Sequence, residues 1–166
     1  MANNFLHFSF VVKATLEQAK WLAAVDKRAR KKIDSKWGKK TDAETEPTPV
    51  DGSIIQAADA LADGRDSPPG IDVDYDERRY NSIWIRSNGS GDPEYTADLA
   101  QQLLCNFGLD EPISFRWAET CSAMRVDEFG GGAVVITRNE ILWLNTATWV
   151  QQTINSIKNP GKTREI

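Results

Sequence analysis

The sequence holds a single histidine and two cysteines in 166 residues. A zinc site needs several His or Cys ligands, so His7 alone argues against a zinc centre, and we expect neither a metal nor a cofactor. Cys105 and Cys121 form no CxxC pair, which predicts reduced thiols rather than a disulfide framework. The chain also lacks the run of roughly 18 to 20 apolar residues that a membrane span needs and the basic leader of a secretory signal. We therefore expect a cytoplasmic protein with no membrane partner.

Charge is unevenly distributed along the chain, although the net charge is only −4. From Lys13 to Lys40, ten Lys or Arg residues stand against three acids, a balance of +7. From Asp42 to Glu77, eleven acids stand against one Arg, a balance of −10. The chain is a charge dipole in sequence. Two alternatives stay open: the two segments neutralise each other in the fold, or each presents a charged surface.

Hydrophobic periodicity predicts the first half of the fold. Alternation over Phe5 to Val12 predicts a central strand. A capping box at Thr15 and Gln18 predicts a helix that runs to about Ile33. Residues 34–70 are interrupted by prolines and predict a mobile insertion that contains one short helix, roughly Ser53 to Ala62.

The second half completes an α+β pattern. Ile71, Val73 and Tyr75 predict a strand that pairs with a second strand through Ile83 and Ile85. Asp92 followed by Pro93 predicts a helix start and Gly108 its end, before a strand with Ile113, Phe115 and Trp117 on its inner face. The order strand, helix, strand, strand, helix, strand is that of a ferredoxin-like split βαβ sandwich with an antiparallel sheet.

Further elements are predicted after this unit. Ala133 to Ile136 predicts an extra strand, and a capping box at Thr137 and Glu140 predicts that Arg138 to Leu144 begins a helix extending to about Lys158. Residues 159–166 are expected to fray. Length and composition predict a single domain over residues 1–166.

The acidic strand supports the first functional hypothesis, a non-enzymatic protein-interaction module. The acids in question are Asp72, Asp74, Asp76 and Glu77. They superficially resemble the start of a calcium loop, but Glu77 occupies the position that needs Gly and Ile83 the position that needs Glu. An acidic surface suits binding to a basic protein, as in inhibitors and immunity proteins. A concrete version is a mobile-element inhibitor of a host defence system, similar to an anti-CRISPR protein that mimics nucleic acid.

The basic end of the first helix supports a second hypothesis, nucleic-acid binding. Several cations clustered on one segment are able to contact phosphates, and an aromatic side chain is available for stacking. The alternative is an ordinary solvated helix end. The residues are Lys27, Arg28, Arg30, Lys31, Lys32, Lys36, Trp37, Lys39 and Lys40.

The segment RWAETCSAMRVDEFGGGAVVIT, from Arg116 to Thr137, supports a third hypothesis, an enzyme centred on Cys121, Arg125 and Glu128. A nucleophilic Cys121 or Ser122 would need His7 as its base; the alternative is a small buried cysteine. The glycines Gly130, Gly131 and Gly132 precede a predicted strand, which disfavours a phosphate loop and favours a bulge or tight turn with positive φ.

Residues of this segment and of the later WLNTATWV carry a resemblance. The pattern W-x-x-T-C-S, then R-x-x-E-F-G-G-G-A and a final W-x-N-T-x-x-W resembles that of a group of small uncharacterised bacterial, plasmid and phage proteins. The resemblance covers roughly Asn81 to Ile154 and implies a shared fold and a shared surface around the glycines, but no activity. In this interpretation Trp117 and Phe129 pack in the core, the glycines turn the chain, and Arg125 with Glu128 holds the connection.

Overall fold

The computed structural model describes residues 4–36, 51–76, 81–122 and 129–158. Within these ranges the fold is α+β, with four helices and two antiparallel sheets. The elements are β1 (Asn4–His7), β2 (Ser9–Lys13), α1 (Leu16–Lys36), α2 (Gly52–Ala62), β3 (Ile71–Asp76), β4 (Ser82–Ser87), α3 (Pro93–Phe107), β5 (Ile113–Cys121), β6 (Gly130–Ile136), β7 (Ile141–Asn145) and α4 (Thr146–Lys158).

The predicted first strand joins the two sheets. Phe8 alone separates β1 from β2, and β1 belongs to a sheet of order β1-β5-β6-β7 while β2 belongs to a sheet of order β2-β4-β3. The Phe8 amide donates to Ser87 Oγ at 3.1 Å, and the Ser87 amide donates to the Phe8 carbonyl at 3.0 Å. The side chains of Phe8 and Val12 are buried, so one face of this segment packs in the core.

One hydrophobic core lies between the strands and the first three helices. Its most buried helical residues include Leu22 and Val25 of α1, Leu61 of α2 and Leu103 of α3. The predicted insertion starts later than expected, because residues 34–36 still belong to α1. The helix α2, which lies within the predicted insertion, is packed in the core. Trp21 Nε1 donates to Ser53 Oγ at 2.9 Å and fastens α2 to α1. Residues 37–50 lie outside the described ranges.

Two predicted helix starts are confirmed by their caps. The Thr15 amide donates to Gln18 Oε1 at 2.8 Å, and the Gln18 amide donates to Thr15 Oγ1 at 3.3 Å, which forms the capping box ahead of α1. Asp92 caps α3 by accepting from the Tyr95 amide at 3.0 Å. The helix ends at Gly108, whose φ of 62° is left-handed as a glycine C-cap requires.

The prediction that Arg138 to Leu144 begins a helix is wrong. Ile141–Asn145 is the strand β7, paired antiparallel with β6. The Thr137 amide donates to the Glu140 carbonyl, and Thr137 Oγ1 accepts from the Glu140 amide, so the supposed capping box closes the β6–β7 hairpin instead. The helix starts at Thr146, where Asn145 Oδ1 accepts from the Thr148 amide at 3.1 Å. In the described part of the chain no helix is long and apolar enough to cross a membrane.

Candidate interaction surface

A neighbouring cation partly compensates the negative charge of the acidic strand β3. Arg86 on β4 lies 3.5 Å from Asp72 and 2.5 Å from Asp74, and its guanidinium stacks over the Trp84 ring at 4.1 Å from the centroid. Asp72 and Asp74 remain half exposed. The side chain of Asp76 and the whole of Glu77 lie outside the described residues. The predicted acidic surface is therefore a mixed surface where the structure describes it.

The basic end of α1 makes several contacts inside the chain. Arg30 binds Asp26 and the Ile71 carbonyl, Lys32 pairs with Asp59 on α2 at 3.0 Å, and Lys36 donates to the carbonyls of Ala62 and Arg65. These three cations hold α1 against neighbouring elements. The structure thus brings basic and acidic segments together at α1 and α2, while Trp37, Lys39 and Lys40 lie outside the described residues.

The glycine segment belongs to strand β6 and is not a turn before it. Trp117, 9% exposed, lies opposite Gly132 in the β5–β6 register. A Cβ on Gly132 would approach the Trp117 ring to 2.3 Å and the Leu144 carbonyl oxygen to 2.2 Å. Gly132 is therefore needed for close packing, and Gly131, with φ of 148°, is needed for its backbone conformation.

The predicted core role of Phe129 is wrong, because its side chain is 56% exposed. Trp117 takes the expected buried place and meets Trp143 edge-on, with ring centroids 5.7 Å apart. Phe129 precedes β6, and none of the strand pairs between described residues includes it. Arg125 and Glu128 lie outside the described ranges, so the tie predicted between them stays a prediction.

Cys121 and His7 do not approach as nucleophile and base. Cys121 lies opposite Asn4 in the β1–β5 register, and His7 is three positions further, roughly 10 Å along the strand. Successive side chains of a strand point to opposite faces of the sheet. His7 therefore lies on the same face as Phe5, and their stacked ring centroids are 5.9 Å apart. Cys121, opposite Asn4, lies on the other face. Hydrogen-bond contact between them is excluded by this geometry.

A cleft is lined by residues of β2, the end of α3 and the start of β5. It has a volume of about 400 Å³, and its polar lining includes Lys13, Gln18, Asp110, Glu111 and Ser114. It contains neither the histidine nor a cysteine. Within the described ranges, no three His, Cys, Asp or Glu side chains are grouped as metal ligands would be.

A buried polar network joins α1, α3 and β3, and no sequence pattern predicted it. Tyr95 is fully buried and its hydroxyl donates to Asp26 Oδ1 at 2.8 Å. Asp26 Oδ2 accepts from Arg30 Nε at 2.9 Å, and Arg30 donates onward to the Ile71 carbonyl at 2.5 Å. Burial, with the Asp26 carboxylate beside it, raises the pKa of Tyr95 far above its ordinary value. The network is a structural link between three elements.

The Tyr95 shift predicts a loss of stability in alkali. Because the folded-state pKa exceeds the unfolded one, the unfolded chain loses its proton first, near pH 10, and the free energy of unfolding falls above that pH by up to about 1.4 kcal/mol per unit. Tyr95→Phe removes this contribution, so its unfolding free energy should decline less steeply there. Urea unfolding between about pH 8 and 11, a range that brackets the ordinary titration of tyrosine, measures the slope of the unfolding free energy against pH. Tyr75→Phe is the control. Equal slopes for wild type and Tyr95→Phe would contradict the assignment.

Among the described residues, those of β7 and α4 are the least covered. Seven large apolar side chains on β7 and α4 are each 38 to 72% exposed. We call them the C-terminal surface: Leu142, Trp143, Leu144, Trp149, Val150, Ile154 and Ile157. Not one residue of α4 is buried. From Ile141 to Ile157 the sequence contains no Asp, Glu, Lys or Arg.

Local geometry positions this surface. Thr146 Oγ1 donates to the Gly131 carbonyl at 2.9 Å, which fixes the first turn of α4 to β6. At 100° per residue, the apolar residues of α4 fall within about 140° of its circumference. Gln151, Gln152 and Asn155 occupy the other side. The uncharged run of seventeen residues was the signal in the sequence, but the predicted helix over Arg138 to Leu144 hid the edge strand.

Comparisons with protein-family models, with curated proteins and with solved structures gave no match. The function is therefore argued from the geometry of the described residues.

Proposed function

We propose that this chain is a non-enzymatic protein-interaction module that docks through the C-terminal surface. The observation that carries the proposal is the helix α4, whose apolar stripe of Trp149, Val150, Ile154 and Ile157 is exposed. An isolated helix of this length is marginal in water, and helices in proteins gain most of their stability by burying an apolar face. A partner that covers the stripe supplies that burial.

The size of the surface supports the same conclusion. Large apolar side chains present on the order of 150 to 200 Å² each when uncovered. At the observed exposures the seven residues together expose roughly 600 Å² of apolar area, which is divided between two sheet faces because Leu142 and Leu144 point to one face of β7 and Trp143 to the other. A standard interface covers about 800 Å² on each partner, and the flanking Gln, Thr and Asn side chains provide a polar rim.

The chemistry of the surface favours a protein over other partners. Helices that lie on membranes are rich in Lys and Arg on their polar face, and nucleic-acid sites need cations for the phosphates. The run from Ile141 to Ile157 carries neither. An apolar centre with neutral polar neighbours matches the core of a protein–protein interface, where charged residues are depleted.

The strand orders support a ferredoxin-like arrangement. If β1 and β2 are counted as one strand that continues through Phe8, the spatial strand order is β5, β1–β2, β4, β3. This is the order of a split βαβ sandwich, in which α1 and α3 would be the two helices. In this description β6, β7 and α4 extend the unit beyond β5. The C-terminal surface then belongs wholly to the extension, which fits an element added for binding.

The acidic strand supplies a second version of the same role. An inhibitor of a host defence system that presents Asp72 and Asp74 to a basic protein stays a proposal based on the acidic segment, and Arg86 already satisfies part of that charge. The two versions differ in their salt dependence. Binding through the acidic strand weakens with added salt, whereas binding through the uncharged surface does not.

The test is site-specific photo-cross-linking in cells. A photoreactive phenylalanine replaces Trp149, which is 52% exposed on α4, or, as the matched control, Val11, which is 62% exposed on β2. We expect protein adducts from position 149 at several times the yield from position 11. Equal yields at the two positions, or adducts at position 11 alone, would contradict docking through the C-terminal surface.

A further inference from the structure

We propose that the occupant of the C-terminal surface is a second copy of this chain, joined by antiparallel pairing of the two β7 strands about a twofold axis. The inference rests on the proposed function and names its partner. The observation behind it is the open edge of β7, which pairs with β6 on one side and, among the described residues, with no strand on the other.

Natural sheets protect such an edge with Lys, Pro, a bulge or a covering element. The β7 sequence Ile-Leu-Trp-Leu-Asn contains no charge and no proline, and its middle three side chains are 45 to 53% exposed. An unprotected apolar edge is a template for another strand. The chain therefore carries an edge suited to pairing.

The β7 sequence matches itself in the antiparallel direction. A twofold axis at Trp143, the central residue of β7, places Leu142 of one chain opposite Leu144 of the other, twice, and the two Trp143 residues opposite each other. Leu142 and Leu144 share one sheet face and Trp143 the other. At the centre of the seam, each cross-strand pair therefore joins two apolar side chains.

Charge and area point to the same occupant. Each chain carries a net charge of −4, which disfavours contact between charged surfaces of two copies, but no charge lies between Ile141 and Ile157. The apolar area that pairing would cover comes from Leu142, Trp143 and Leu144 on each copy, and homodimer interfaces are the more apolar class of interface.

The first test is the mass of the full chain in solution by light scattering and sedimentation. We expect twice the 18.5 kDa of one chain, with a dissociation constant that does not rise with added salt. A mass of 18.5 kDa at every concentration from micromolar to millimolar overturns the inference.

Charge variants test the register. In the Leu142→Lys, Leu144→Lys variant, like charges oppose each other across the seam, and dimerisation should weaken by about 100-fold or more. In the Leu142→Lys, Leu144→Glu variant, each introduced lysine faces an introduced glutamate of the other copy, so dimerisation should recover substantially. Equal weakening of both variants contradicts the antiparallel register.

Controls separate this inference from the proposed function. Both leucines are about half exposed in the chain, so thermal unfolding followed by circular dichroism should show folded variants; if either unfolds, the milder Leu142→Thr, Leu144→Thr variant takes its place with a smaller expected loss of dimer. A monomer that still forms adducts at position 149 with another protein overturns self-association and leaves the docking surface standing. A monomer without such adducts overturns both.

Discussion

Replacing Asp26 with alanine is expected to lower the free energy of unfolding by about 3 to 5 kcal/mol. The carboxylate accepts from the buried Tyr95 hydroxyl and from Arg30, whose guanidinium also holds the Ile71 carbonyl. Its removal leaves a buried hydroxyl and a partly buried cation without their acceptor, and unpaired buried polar groups are costly. Urea denaturation followed by tryptophan fluorescence measures the change.

Asp59→Ala is the matched control for this prediction. Asp59 also pairs with a cation of α1, Lys32, at 3.0 Å, but both side chains are about half exposed. Exposed pairs contribute about 0 to 1 kcal/mol. If the two alanine variants lose the same stability, the burial of the Asp26 network carries no special weight and the structural argument for it fails.

Gly132→Ala is expected to destabilise the chain by about 3 kcal/mol, the upper part of the range for overpacking. The new methyl group would overlap the Leu144 carbonyl oxygen and the Trp117 ring. The carbonyl is backbone, and the ring is held between β6 and Trp143, so neither yields without shifting β7. We also expect the near-ultraviolet circular dichroism of the Trp117–Trp143 pair to weaken, because their edge-on contact depends on that spacing.

Gly52→Ala provides the comparison. Gly52 has no atom within 4 Å of its would-be Cβ and lies in the first turn of α2, where alanine favours the helix by up to about 1 kcal/mol. The two substitutions add the same methyl group and should have opposite signs. A Gly132→Ala variant as stable as wild type would show that β6 and β7 have room that the structure denies them.

The sequence predicted elements where a local pattern and its cap agreed. Thr15 and Gln18 accept from each other's amides, and Asp92 accepts from the Tyr95 amide, so the local pattern and its cap agreed and these helices were found. Thr137 and Glu140 have the same spacing, yet their hydrogen bonds close a hairpin. The hairpin wins because Val134 and Ile136 on β6 are buried in the core, and pairing with β6 orders β7. Tertiary contacts therefore decide whether a capping-box pattern starts a helix or closes a hairpin.

The candidate surface was predictable only in part. Seventeen consecutive uncharged residues marked a segment that avoids charge, but their exposure depends on what covers them. The Asp26–Tyr95 bond joins positions 69 residues apart, and no periodicity reveals such a pair. Likewise, the acidic strand was visible as a pattern, whereas its compensation by Arg86 required the β3–β4 register to place Arg86 opposite Asp72.

The central claim, that α4 presents a protein docking surface, is tested most directly by cross-linking from position 149 in cells, with position 11 as reference. The account predicts abundant protein adducts at position 149 and few at position 11, and the mass of the main adduct identifies a second copy or another protein. Adduct yields at position 149 no higher than at position 11 would contradict the account.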